Sequence, residues 1–146
     1  MLLKLCLLMT VCVALTSATC STFSTVLYRV VRPNENCNQG LLAKDPSARE
    51  SLEDHVGIGS SPGYTSQYIS TTTELSIATK WWKKNQNLKI VRISRNDVIN
   101  AGCTVYDFNI ESVKNRHLVS NKAKNFARAL CEVTLECSRP LNCVDV

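Results

Sequence analysis

The stretch QYISTTTELSIATKWW, residues 67–82, decides the fold because it changes from one structural pattern to another within a few residues. Residues 67–71 contain the β-branched and aromatic side chains that favour a strand. Thr72 or Thr73 can then cap a helix, and Glu74 in the first turn suits the positive end of the helix dipole. Apolar residues follow at the i, i+3 and i+7 spacing of one helix face: Leu75, Ala78 and Trp82.

The segment upstream of this stretch predicts one more strand and one more helix. Residues 26–31 are rich in β-formers, and the loop after them contains Pro, Asn and Gly. The sequence SARE, residues 47–50, has the Ser-x-x-Glu spacing of a capping box. It predicts a helix that runs to about His55 or Val56 and stops at Gly57.

The segment downstream alternates short strands and helices. We predict strands at residues 88–93, 104–108 and 130–135, a turn or short helix at 96–101, and a short helix at 122–128. The chain has 146 residues and is 45% hydrophobic, which suits one folded domain. Mixed strands and helices without repeats or a linker indicate a single α+β domain over residues 19–146.

Residues 1–18 have the pattern of a signal peptide. Lys4 precedes an apolar run from Leu5 to Leu15, and small residues follow up to Ala18. The run is too short for a membrane span, although an uncleaved anchor is the alternative. We therefore expect a secreted protein whose mature chain has no transmembrane segment.

Cysteine use agrees with export. Of the eight cysteines, Cys6 and Cys12 lie in the predicted signal. Six remain, enough for three disulfides in an oxidising compartment, and the sequence leaves their pairing open. These six are Cys20, Cys37, Cys103, Cys131, Cys137 and Cys143. A metal site is not predicted, because the chain has no CxxC and its two histidines are far apart.

The chain carries a formal net charge of +5, and its basic residues form two clusters. One lies in residues 80–92 and the other in residues 116–128. Such clusters are usually solvated faces, and the alternative is attraction to a polyanion. No recognisable nucleic-acid motif accompanies them.

Glu132 is the candidate catalytic group. Side chains alternate along a strand, so Cys131, Val133 and Leu135 should face the core while Glu132 projects from the opposite face. On its own, this pattern more often indicates an ordinary exposed glutamate on a strand.

Other candidate site residues also have ordinary explanations when taken singly. Arg29 interrupts a β-rich run. Its planar guanidinium group suits the recognition of a phosphate or carboxylate, and the ordinary alternative is a salt bridge at a sheet edge. Ser70 and Thr71 end a strand just before a helix, where hydroxyl groups also act as caps. His55 lies near a predicted helix end, where surface or capping roles are common.

Taken together, four segments resemble the ADP-ribosyltransferases of the cholera-toxin and pierisin type. YRVVRPNE, residues 28–35, resembles the opening strand of that family, with its Tyr-Arg pair, Arg-Pro and acidic residue. DHV at 54–56 resembles the segment with the histidine of the NAD pocket. QYISTT at 67–72 resembles the aromatic-x-Ser-Thr-Ser strand, and EV at 132–133 resembles the catalytic glutamate segment.

The resemblance implies a fold, a substrate and roles for five residues. The fold would be a split β-sandwich of two small perpendicular antiparallel sheets, with helices flanking an NAD cleft. Arg29 would hold the NAD phosphates or ribose and brace the Ser-Thr strand. His55 would line the nicotinamide side, and Ser70 and Thr71 would shape the pocket. Glu132 would be the catalytic carboxylate for cleaving the nicotinamide–ribose bond.

The chain departs from this family at Leu130. Members that modify arginine have a second glutamate two residues before the catalytic one, and leucine can neither accept a proton nor orient a nucleophile. Water could therefore be the acceptor, or activity could be lost. Cys131 is expected to be structural because it should face inward.

These observations predict a secreted, toxin-like mono-ADP-ribosyltransferase or NAD glycohydrolase with NAD as substrate. Its acceptor is unknown, a protein or less readily a nucleic acid, and a separate partner could deliver it. Two alternatives remain: a catalytically inactive relative that binds a ligand or protein, and a disulfide-rich binding domain whose resemblance to the family is chance.

Overall fold

The structure is a computed structural model that describes residues 19–146, so the predicted signal peptide at 1–18 lies outside the described residues. The strands are β1 (Val26–Val31), β2 (Ile69–Thr72), β3 (Lys89–Ser94), β4 (Cys103–Asp107), β5 (Glu132–Cys137) and β6 (Val144–Asp145). The helices are α1 (Leu52–Ile58), α2 (Leu75–Lys84), α3 (Arg95–Asn100), α4 (Glu111–His117) and α5 (Asn121–Ala129). The α+β class predicted from the sequence is confirmed.

The strands form one six-stranded antiparallel sheet in the order β4-β5-β2-β1-β3-β6. The prediction of two separate sheets is therefore wrong. The reason lies at the centre of the sheet, where β1 and β2 are joined by the single register pair Tyr28–Thr72. By contrast, β1 pairs with β3 from Val26 to Val31, and β2 pairs with β5 along its whole length. The sheet thus has two three-stranded halves with a narrow connection.

Two apolar clusters hold the helices and the sheet together. The larger lies on one face of the sheet and contains fully buried strand residues such as Leu27, Val91, Ile93, Val133 and Leu135. The smaller lies beneath α1, α4 and α5. Its buried members are Leu52, Phe108, Leu118, Ala123 and Ala127. The opposite face of the β2–β5 region is left free for polar groups.

The predicted start of the first helix is wrong by one turn. Ser47 does not cap it, because its backbone N–H and hydroxyl both donate to Asp45. Glu50 is also unavailable, since its backbone pairs with the side-chain amide of Gln67. Helix α1 instead has Ser51 as its N-cap, accepting from the backbone N–H of Asp54 at 3.0 Å.

Helix α2 also begins differently from the prediction. Glu74 is its N-cap residue and makes no side-chain cap; its carboxylate instead accepts the backbone N–H of Ser21. Ala78 is buried as predicted, whereas Leu75 is 39% exposed. The predicted inner face is therefore only partly correct.

The downstream elements agree with the prediction in kind but not in every boundary. Helix α3 is a true helix with a Ser94–Asp97 capping box, and β5 begins at Glu132 instead of Leu130. Helix α4 and the short strand β6 were not predicted. Helix α4 has no side-chain N-cap and is mostly polar, so it carries a weak sequence signal.

Three disulfides pair the six cysteines of the described chain: Cys20–Cys131, Cys37–Cys143 and Cys103–Cys137. Two of them hold the ends of β5, because Cys131 precedes its first residue and Cys137 is its last. This use of cysteine is consistent with an oxidising, extracellular compartment. Over residues 19–146, none of the helices has the length and apolar character needed to cross a membrane.

Candidate functional site

A cleft of about 360 Å³ opens where the two halves of the sheet meet, and it is lined by residues of β1, β2, β5 and of helices α1, α2 and α5. It contains all five site residues predicted from the sequence: Arg29, His55, Ser70, Thr71 and Glu132. These five residues come from β1, β2, β5 and α1, which are far apart in sequence. The antiparallel sheet and the packing of α1 bring them together.

Glu132 enters the cleft because β5 alternates as predicted. Val133 and Leu135 are fully buried in the larger apolar cluster, while Glu132 and Thr134 lie on the opposite face. In the register of β2 with β5, Ser70 is the partner of Thr134 and Thr72 is the partner of Glu132. The Ser-Thr strand therefore runs directly beside the candidate carboxylate.

The Glu132 side chain is enclosed by protein and surrounded by hydroxyl groups. The residue is 6% exposed, and Thr134 Oγ1 donates to its Oε1 at 2.9 Å. Burial raises the pKa of the Glu132 carboxyl above its ordinary value, while the hydroxyls of Thr134 and Ser70 and the charge of Arg29 act to lower it. The group is thus a buried carboxyl whose ionised form depends on these neighbours.

Arg29 connects the two halves of the sheet. Its Nη1 donates to the carbonyl oxygen of Ser70 at 2.9 Å, and its Nη2 lies 3.0 Å from Glu35 Oε1. Arg32 contacts the same carboxylate at 2.8 Å. Burial raises the pKa of Glu35, but hydrogen bonds and charge from Arg32 and Arg29 outweigh this and lower it overall. Glu35 therefore orients both arginines, a role the sequence did not reveal.

One end of the cleft is electropositive. Arg29, Arg32 and Lys44 line it, and Lys44 Nζ donates to the Tyr64 carbonyl oxygen at 3.3 Å. Within residues 19–146, the Nε atoms of both arginines and the Tyr64 hydroxyl are buried without a hydrogen-bond partner. Buried donors seldom remain unsatisfied, so this end is suited to an anionic group.

His55 lies in the last turn of α1, near the helix end as predicted, but it is buried in the cleft wall and not on the surface. It is 8% exposed, with Nδ1 at 2.7 Å from Ser66 Oγ and Nε2 at 2.8 Å from Ser70 Oγ. Burial, followed by the charges of Arg29 and Lys44, lowers the pKa of His55 to about 4. The imidazole is therefore neutral near pH 7 and acts as both donor and acceptor.

Thr71 differs from the other four predicted residues. Its hydroxyl donates to the carbonyl oxygen of Val133 at 2.6 Å, so it fastens β2 to β5. The residue is 4% exposed and contributes to the cleft wall. Its role in binding a cofactor stays a prediction.

The other end of the cleft has an apolar mouth formed by α2 and α5. Ile77 and Trp81 come from α2, Phe126 from α5, and Leu130 from the C-cap position of α5. Trp81 is 45% and Phe126 43% exposed. Leu130 precedes the strand instead of belonging to it, but it lines the same cleft as Glu132, as expected from the sequence.

Comparisons of this chain with protein-family models, with curated proteins and with solved structures found no match. The interpretation of the site therefore rests on its geometry. One cleft combines a buried carboxyl, basic side chains at its electropositive end and apolar side chains at its mouth. Such an arrangement suits an elongated ligand that carries an anionic group and a flat apolar ring.

Proposed function

We propose that the protein binds NAD in this cleft and breaks its nicotinamide–ribose bond, as an ADP-ribosyltransferase or NAD glycohydrolase. One observation carries the proposal: Arg29, His55, Ser70 and Glu132, which come from four separate segments of the sequence, converge in a single cleft. Had these residues lain on different faces of the protein, the proposal would fail; their place in one cleft is what it requires.

The distribution of charge in the cleft supports the same proposal. The pyrophosphate of NAD carries two negative charges, and Arg29, Arg32 and Lys44 with Glu35 give the electropositive end a net charge of the opposite sign. Arg29 and Arg32 are held in fixed orientations by Glu35, so they can bind an anion with little further ordering. Glu132 and the apolar mouth remain for the nicotinamide ribose and its ring.

Cleavage of the nicotinamide–ribose bond is assisted by a carboxylate at the position of Glu132. When the C–N bond breaks, its electron pair leaves with nicotinamide, and positive charge develops on the ribose as in glycoside cleavage. An ionised Glu132 stabilises that charge more than it stabilises the ground state. The oxygen of an acceptor then bonds to the ribose carbon and releases its proton.

Leu130 bears on the choice of acceptor. It lines the same cleft as Glu132 and cannot activate a nucleophile, since leucine has no group that accepts a proton. We therefore favour water as the acceptor, which makes the reaction a hydrolysis. Transfer to a protein, or less readily to a nucleic acid, is the second possibility. Secretion and a separate delivery partner belong to the same proposal.

The test is nicotinamide release from NAD by the oxidised protein that begins at Thr19. Glu132→Gln is expected to lower the rate about 100- to 1000-fold, by analogy with other preorganised charge stabilisers. Glu136→Gln is the matched control, because Glu136 lies on the same strand and does not line the cleft. Equal turnover by wild type and Glu132→Gln would refute the assignment of this residue.

A second candidate function is NAD or ligand binding without catalysis. Two features of the cleft favour it: Leu130 is present in the wall, and burial raises the pKa of the Glu132 carboxyl. A protonated Glu132 would not stabilise positive charge. Calorimetric titration with NAD separates the two functions: heat of binding without nicotinamide release supports the binding protein.

A further inference from the structure

A series of hydrogen-bonded polar groups runs from Ser66 through His55 to Ser70, which lies on the strand beside the candidate carboxyl. The backbone N–H of Tyr68 donates to Ser66 Oγ at 3.4 Å. Ser66 Oγ lies 2.7 Å from His55 Nδ1, and His55 Nε2 lies 2.8 Å from Ser70 Oγ. Ser70 lies on β2, which pairs with β5, and lines the same cleft as Glu132; its hydroxyl acts to lower the pKa of the Glu132 carboxyl.

The direction of these hydrogen bonds follows from the donors and acceptors present. Tyr68 N–H occupies Ser66 Oγ as a donor, so the Ser66 proton needs an acceptor. Within residues 19–146, His55 Nδ1 is the acceptor in contact with that hydroxyl. A neutral imidazole that accepts at Nδ1 carries its proton on Nε2. Nε2–H then donates to Ser70, which leaves the Ser70 proton for Glu132.

The opposite tautomer would reverse the last step. With the proton on Nδ1, His55 would donate to Ser66, and Nε2 would accept the proton of Ser70. Glu132 would then lose one of its two hydroxyl donors. The Ser66 hydroxyl therefore decides which way the Ser70 proton points, although Ser66 does not contact the carboxyl.

Thr134 supplies the second donor to the carboxyl. It is fully buried, and its Oγ1 donates to Glu132 Oε1 at 2.9 Å. Thr134 lies on β5 with Glu132, and its cross-strand partner is Ser70 on β2. One hydroxyl therefore comes from the strand of Glu132 and the other from the neighbouring strand. The paired strands fix the separation of the two donors.

We propose that Ser66 and Thr134 are positioning residues for Glu132, and this inference rests on the proposed function. Thr134 donates to the carboxylate directly, and Ser66 sets the His55 tautomer that directs the Ser70 hydroxyl toward it. The charged side chains around these polar groups are Arg29 on β1 and Arg32 and Lys44 in the loop after it, while His55 on α1 is titratable but neutral near pH 7. Helices α2 and α5 contribute only apolar side chains to the cleft, such as Ile77, Trp81 and Phe126.

The first test concerns the tautomer and does not need turnover. Nitrogen-15 shifts of the His55 ring should show a neutral imidazole protonated at Nε2 in the wild type, with His117→Gln used to remove the signals of the second histidine. Ser66→Ala should populate the Nδ1-protonated form, and Ser66→Thr should restore the wild-type pattern. A wild-type imidazole protonated at Nδ1 overturns the inference.

The second test is the pH profile of nicotinamide release. Thr134→Val should lower the rate about 10- to 100-fold near pH 7, since a hydrogen bond to a charged group is lost. Ser66→Ala should lower it about tenfold, with Ser66→Thr and Thr134→Ser close to wild type. Both deleterious variants should move the acidic limb to higher pH, because the ionised form of Glu132 loses a donor.

Ser94→Ala is the control for a purely structural effect. It removes the N-cap hydroxyl of α3, outside the cleft, and should reduce stability without moving the acidic limb. An unmoved limb in Thr134→Val overturns the inference for Thr134. If the wild type releases no nicotinamide, the proposed function fails, while the His55 spectrum still decides whether Ser66 sets the tautomer.

Discussion

Two buried groups in the cleft respond to burial in opposite directions. Burial lowers the pKa of His55, since its charged form is the protonated one, and raises the pKa of Glu132, since its charged form is the deprotonated one. Both shifts favour the neutral form. The Ser70 hydroxyl is hydrogen-bonded to His55 and also acts to lower the pKa of Glu132. One hydroxyl therefore influences both groups.

The His55 shift predicts a loss of stability in mild acid. The folded pKa of about 4 lies below the unfolded value of 6.5, so the unfolded chain binds more protons between these values. The contribution of His55 is therefore present above pH 6.5 and is lost as the pH falls toward 4. Between pH 7 and pH 5 this amounts to roughly 2 kcal/mol of unfolding free energy.

Urea unfolding at the two pH values checks this prediction. His55→Gln should flatten the difference between pH 7 and pH 5, because glutamine does not titrate. His117→Gln is the matched control and should retain the wild-type difference, since it removes the chain's second histidine from outside the cleft. An unchanged difference in His55→Gln would show that other groups cause the acid sensitivity.

At the scale of elements, the loop after β1 holds the arginines in place. Glu35 is 6% exposed at its side chain and contacts Arg29 and Arg32, so removing its charge leaves two partly buried cations without a partner. Glu35→Gln should therefore lower the free energy of unfolding by about 3 kcal/mol. Equilibrium denaturation by urea measures the loss.

Asp145→Asn is the matched control for that prediction. The Lys89–Asp145 pair has side chains that are 70% and 56% exposed, so its contribution should be close to zero. Similar losses in the two variants would contradict a special role for Glu35. High salt should leave the Glu35→Gln effect largely unchanged, because buried pairs are poorly screened.

The sequence predicted elements well where the local pattern and the tertiary contacts agree. The alternation of β5 identified the buried side of Val133 and Leu135 and the opposite side of Glu132, because both follow from strand geometry. The capping box at Ser47 failed because Asp45 and Gln67 compete for the same backbone groups, and Gln67 is distant in sequence.

The site residues, like the elements, were predicted where a local sequence motif marks them. Arg29, His55, Ser70 and Glu132 were identified from short motifs, and their convergence agrees with those motifs. Glu35, Ser66 and Thr134 were missed as partners, because a hydroxyl or carboxylate that orients another side chain has no periodicity of its own. The single sheet was missed for a similar reason, since it depends on one cross-strand pair between β1 and β2.

At the scale of the whole molecule, the disulfides constrain the unfolded chain to different degrees. Cys20–Cys131 and Cys37–Cys143 close long segments, with sequence separations of 111 and 106, whereas Cys103–Cys137 spans 34. In the chain-entropy description, a longer loop restricts the unfolded state more. Removing Cys20–Cys131 by paired alanine substitutions should cost about 1 kcal/mol more than removing Cys103–Cys137.

Urea unfolding of the two double-alanine variants tests this ranking, with the Cys37–Cys143 double variant as an internal reference. The reference should resemble the Cys20–Cys131 variant, because its loop has nearly the same length. Equal costs for the long and short loops would show that packing around the sulfurs, and not chain entropy, determines the contribution of each bridge.

The attachment of β5 at both ends has a mechanical consequence. Cys131 and Cys137 are the two points of attachment, and Glu132 is the residue next to the first of them. The middle of the strand is held by its pairing with β2 and β4 and by the core. The disulfide at Cys131 gives comparable support at the end of β5, so Glu132 should keep its position until the sheet itself opens.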